Sequence, residues 1–141
     1  MAVNNPYASY KQKATETKSP GELTLMLYEG CLKFIKRAEK AIIDENVQDK
    51  NTNLLKAQNI IHELMVTLKT DTDVAKNMLQ MYDFILNRLV AANMNNDLTA
   101  LKEAEQFVIE FRDTWKQVIM IDRKQRHGVT AGGASAGVTR L

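Results

Sequence analysis

The chain has 141 residues, 45% hydrophobic and 26% charged, the balance of one soluble globular domain with room for a core. A net charge of +2 is too near neutrality to argue for nucleic acid, and one cysteine excludes both an intramolecular disulfide and a multi-cysteine metal site. No apolar run approaches the roughly 20 residues of a membrane span, and the N-terminus lacks the apolar segment of a signal peptide, so a cytoplasmic protein is expected.

Residues 1–18 read as an N-terminal arm. Pro6 biases Asn5 away from helix. Tyr7 and Tyr10 stand three apart in an otherwise polar stretch. The segment is either a free terminus or an arm that docks its two rings on the body behind it, with Pro6, Tyr7 and Tyr10 as its anchors.

The sharpest start signal follows. Ser19 can accept a hydrogen bond as N-cap, Pro20 suits the first helical position, and Glu22 completes a capping box. The spacing predicts helix 1 from Pro20 to about Asp44. Its core face is Leu23, Leu27, Gly30, Phe34, Ala38 and Ala41. A second stripe, Leu25, Tyr28, Leu32 and Ile35, lies nearly opposite, where a surface helix should be polar. It requires a second neighbouring helix or a partner. Asn46 ends helix 1.

Helix 2 is expected from about Lys50 to Lys69, with Leu54, Ala57, Ile61, Leu64, Met65 and Leu68 inward and Leu55, His62 and Val66 on another flank. After the turn Thr70-Asp71-Thr72-Asp73, helix 3 runs from about Val74 to Asn93. Met78, Leu79, Tyr82, Ile85, Leu86 and Leu89 face its core, and Met81, Phe84, Arg88 and Ala91 face away. Asn96 or Asp97 caps helix 4, which runs from about Leu98 to Asp122 with Leu101, Ala104, Val108, Phe111, Trp115 and Ile119 inward. Residues 123–141 are a basic run followed by a Gly/Ala-rich tail without periodicity, expected to be disordered from Gly128.

These elements predict an all-α fold: an antiparallel up-down four-helix bundle over residues 19–122, with the N-terminal arm before it and a disordered C-terminal tail after it. The inventory opposes catalysis, and neither a cofactor nor a catalytic residue is expected. A di-iron bundle needs Glu-x-x-His pairs, yet the only histidines are His62 and His127, and Asn59 stands three before His62. A zinc site lacks ligands. Cys31 falls inside helix 1 beside the core face, where a buried thiol is inert. His62 is followed by Glu63, Leu64 and Met65, without the basic and small residues that would make room for a phosphoryl group.

What remains is apolar surface beyond the needs of the core. The flanks of helices 2 and 3, joined by a short turn and so expected to be neighbours, place Leu55, His62, Val66, Met81, Phe84, Arg88 and Ala91 as one candidate groove for an amphipathic helix. The same flanks would also serve a homodimer.

The motifs Asn5-Pro6-Tyr7-x-x-Tyr10 and Ser19-Pro20-Gly21-Glu22-Leu23 with Met26-Leu27-Tyr28-x-Gly30 are those by which the chain resembles the flagellar secretion chaperone FliS family. Ala57-Gln58-x-Ile60-Ile61-x-Glu63-Leu64, Leu79-x-x-Tyr82-Asp83-x-Ile85-x-x-Arg88-Leu89 and Trp115 follow in family order, over about residues 4–120. Cys31 stands where the family pattern has Ala or another small residue. The resemblance implies a non-catalytic cytoplasmic export chaperone. It would bind the C-terminal segment of newly made flagellin, prevent its polymerisation and deliver it to the flagellar type III export gate. It also implies an arm that lies on the bundle and moves when flagellin binds. The alternative is a self-associating structural bundle.

Overall fold

The computed structural model describes residues 19–68 and 71–132, the last seven of these as backbone alone. Four helices follow one another: α1 (Pro20–Ile43), α2 (Val47–Val66), α3 (Asp73–Asn95) and α4 (Leu98–Gly132).

Local chemistry explains the boundaries. Ser19 Oγ accepts from the Glu22 N–H at 3.2 Å while the Glu22 carboxylate accepts from the Ser19 N–H, so the capping box forms as the sequence indicates. α1 turns into α2 more tightly than expected. Glu45 takes a left-handed φ of 59°, and Asn46 caps α2 by accepting from the Asp49 N–H at 3.0 Å. A non-glycine residue in that conformation costs about 1 kcal/mol or more. Thr72 caps α3, Asn96 ends it at φ 53°, and Asp97 Oδ1 accepts from the Ala100 N–H at 3.0 Å to open α4.

The end of α4 differs from the sequence expectation. The helix does not stop at Asp122 but continues through the basic run and Gly128 to Gly132. No proline interrupts it, extending an existing helix is far easier than starting one, and one glycine costs only about 1 kcal/mol. The arm, residues 1–18, and the tail from 133 lie outside the described residues.

Each helix packs on two neighbours, in the ring α1–α2–α3–α4–α1. The order is antiparallel. Near the start of α1, Trp115 of α4 reaches Gly21, whereas near its end Lys102 reaches Glu39. The second stripe of α1 is thereby explained, because this helix lies between α2 and α4. Tyr28 and Ile35 are 1% exposed and Leu32 is 9%. Leu54, Ala57, Ile60, Ile61, Ile85, Leu89, Ala104 and Val108 are fully buried and make most of the interior aliphatic. A polar contact spans the diagonal between α1 and α3, where the Tyr28 and Tyr82 hydroxyls are 2.6 Å apart. Phe111 of α4 lies against both rings, at centroid distances of 5.7 and 5.2 Å.

Candidate partner-binding surface

Two groups of exposed apolar residues lie on the flanks that the sequence pointed to. On α2, Leu55 is 53% exposed and Val66 is 77%, with His62 exposed between them. At about 100° per residue these three lie opposite Ala57 and Leu64, which are buried. They form a stripe on the solvent side of α2.

The second group sits on the opposite shoulder of α3. Phe84 is 40% exposed, and its ring meets Phe107 of α4 edge to face at 5.1 Å. The Arg88 guanidinium lies 5.8 Å from the Phe84 centroid and pairs with Glu103 of α4 at 3.3 Å. Helical spacing puts Met81, 38% exposed, and half-buried Ala91 on the same shoulder. At about 100° per residue, Leu79, Leu86 and Val90 fall on the other shoulder of α3. The structure thus brings Phe84 and Arg88 together at the α3–α4 seam, apart from the Leu55–Val66 stripe. Phe107 was not singled out from the sequence, although its place off the inward stripe of α4 is the signal that marked Phe84.

A third feature was not legible in the sequence. Burial falls toward the end where Ser19 begins α1. Leu23, Leu25, Met26, Leu68, Met78, Phe111, Trp115 and Ile119 are only half-buried there, and Val74 and Ile121 are more than half exposed. The antiparallel order gathers the start of α1, the end of α2, the start of α3 and the outer turns of α4 at this end. α4, with 35 residues, overhangs its 20- to 24-residue neighbours and leaves its inward face without a full set of helices to cover it. Periodicity assigns Leu23, Leu68, Met78, Phe111, Trp115 and Ile119 to the core because it reports the face of a helix, not the distance from the end of a bundle. Residues 1–18 join the described chain here.

Polar groups elsewhere are engaged in holding helices together. On the α1–α4 seam Lys36 meets Glu105 at 3.0 Å, and Lys102 meets Glu39 at 2.6 Å. The hydrogen bond from Lys102 chiefly holds the Glu39 carboxyl below its ordinary range, with partial burial opposing. Lys50, 6% exposed, reaches Asn96 at 2.8 Å and ties the start of α2 to the end of α3. Burial pushes the Cys31 thiol up to about 12, which leaves it protonated and unreactive. What this surface offers is apolar contact area, with Arg88 and Glu103 at its rim.

The chain matches the family model described as flagellar protein FliS over residues 3–122. It is 52% identical over 128 residues to the flagellar secretion chaperone FliS of Bacillus subtilis (strain 168), spanning 91% of this chain and 96% of that one. It is 32% identical over 112 residues to the protein of the same name from Escherichia coli (strain K12), spanning 77% and 82%. A solved structure described as a crystal structure of a flagellar chaperone from bacteria superposes with a TM-score of 0.67 at 20% identity, covering 82% of this chain and 95% of that one. That structural likeness establishes the four-helix fold.

Proposed function

The chain belongs to the FliS family of flagellar secretion chaperones, and from that premise we propose that it binds the C-terminal segment of flagellin, keeps it from polymerising, and delivers it to the flagellar export apparatus. The observation that carries this reading is the surplus of exposed apolar side chains, Leu55, Val66, Met81 and Phe84, on a bundle whose interior is already filled. Aligned apolar residues on neighbouring helices mark a surface that something covers. A flagellin C-terminus outside the filament is an amphipathic helix without its partner face, and these stripes supply one.

The placement of the two stripes adds a requirement. A segment that touches Leu55 and Val66 as well as Phe84 and Arg88 must pass across α3, so a long segment fits better than one short helix. His62 and Ala91 flank the same path. The half-buried end offers the arm a seat for Tyr7 and Tyr10 while the cargo is absent. No step is catalytic. Among the described residues no helix is long and apolar enough to cross a membrane, consistent with work in the cytoplasm and handover at an export gate.

Isothermal titration of a flagellin C-terminal peptide tests the reading. One-to-one binding with a negative heat-capacity change is expected, because apolar burial drives it and the segment orders as it docks. Phe84→Asp and Val66→Asp are each expected to weaken binding at least about tenfold, since a carboxylate must then be desolvated in an apolar contact. The helical signal should remain, because neither residue is buried. Wild-type affinity in both variants would remove these residues from the site. A tight homodimer that the peptide cannot dissociate would instead assign the same stripes to self-association.

A further inference from the structure

One carboxylate serves two helices at the half-buried end. Glu22 Oε1 accepts from the Ser19 hydroxyl at 3.1 Å and from the Ser19 N–H at 3.4 Å, which completes the cap of α1. Its second oxygen, Oε2, accepts from Arg123 Nη2 of α4 at 2.6 Å. One residue earlier, the Gly21 carbonyl accepts from the Trp115 indole N–H, also at 2.6 Å. A Cβ built on Gly21 would sit 3.7 Å from Ile119, so α4 rests directly on the first turn of α1. Beyond Arg123, α4 continues to Gly132.

We propose that Glu22 makes this junction a clasp, in which the cap of α1 and the docked position of the outer turns of α4 form and break together. The two oxygens belong to one rigid carboxylate. The cap holds that carboxylate in the rotamer that Arg123 requires, so the ion pair forms without a further loss of Glu22 side-chain freedom. Arg123 in turn holds the rotamer that the cap requires. If Ser19 leaves the cap, the carboxylate loses the hydrogen bonds that set its position for Arg123. If Arg123 leaves, the cap loses its support. Such coupling is reciprocal by thermodynamic necessity. Its consequence is communication: a ligand that unwinds the first turn of α1 loosens the overhanging turns of α4, and a ligand that seizes the overhang frays the cap. The inference does not depend on what the exposed stripes bind.

Hydrogen exchange on the full-length chain, read by mass spectrometry in segments 20–26 and 119–132, tests it. Ser19→Ala touches only α1, yet is expected to raise exchange in 119–132 by about two- to fivefold, the range of an exposed ion pair. Arg123→Ala touches only α4, yet should raise exchange in 20–26 by a similar factor. Glu22→Gln keeps an acceptor for the cap and loses the charge, so it should loosen 119–132 more than 20–26. The double variant Ser19→Ala/Arg123→Ala should show an effect near that of the stronger single, because the clasp is broken only once. Effects confined to the substituted helix, a double effect equal to the product of the singles, or a uniform rise that includes the interior around Leu54 to Ile61 would each overturn the proposal.

Discussion

The Tyr28–Tyr82 pair offers a quantitative test of the bundle interior. Each side chain is 1% exposed, and the two hydroxyls meet at 2.6 Å between helices that face each other diagonally across the bundle. Replacing one tyrosine by phenylalanine removes a single oxygen and leaves the other hydroxyl buried without its partner. A stranded buried polar group costs about 1–3 kcal/mol, a large share of the roughly 5–15 kcal/mol that holds a domain folded. Removing both hydroxyls leaves two rings still packed on Phe111 and nothing stranded, so the double variant should lie within about 1 kcal/mol of the parent. Urea unfolding followed by circular dichroism measures this. With a slope of about 1–3 kcal/mol per molar urea, each single variant should unfold roughly 1 M earlier, and Tyr28→Phe/Tyr82→Phe should recover most of the loss. The pair also sets an alkaline limit. Burial raises both phenols, that of Tyr82 to about 12 against an ordinary 10. The native state therefore holds protons that the unfolded chain releases. The contribution is complete below pH 10 and is lost as pH rises toward about 12. The double variant should resist alkali further than the parent. Singles that match the parent, or a double that loses the sum of both singles, would refute the idea that these hydroxyls satisfy only each other.

Three further outcomes follow from the geometry. Trp115→Ala should cost about 2–4 kcal/mol, read as a lower urea midpoint, because a half-buried ring and its bond to Gly21 are lost together; an unchanged midpoint would mean that α4 does not rest on α1 there. Glu39 is held below its ordinary range mainly by Lys102, so its contribution is present above that range and lost as pH falls through the lowered value. Lys102→Ala should flatten this acid limb in a pH titration of stability, and an unaltered limb would assign it to other carboxylates. Removing residues 1–18 should uncover the half-buried end and promote self-association, visible by light scattering; a truncated chain as monodisperse as the parent would deny the arm that role.

The sequence by itself determined the number and order of the helices and most of their inward faces. Those follow from interactions within a few residues: the Ser19–Glu22 cap, the Asp97 cap and the recurrence of Leu, Ile and Ala at helical spacing. It also carried the family, through the arm and the Ser-Pro-Gly-Glu-Leu start. The turn at Glu45 was not legible, because the left-handed cap that closes α1, with the Glu45 N–H on the Ile42 carbonyl and the Asn46 N–H on the Ala41 carbonyl, is usually marked by a glycine that this sequence lacks. The second stripe of α1 called for either a second neighbouring helix or a partner, and only the packing of α4 on Tyr28 decided between them. Phe84 and Arg88 were found as outward residues, but helical spacing is circular and does not say which neighbour lies on which side; only packing turned them toward Phe107 and Glu103. The same holds for Glu22. Its capping role is local and readable three residues away, whereas its bond to Arg123 joins residues 101 apart in the chain. That distance is closed only when four helices of unequal length align at one end, and no local pattern records it.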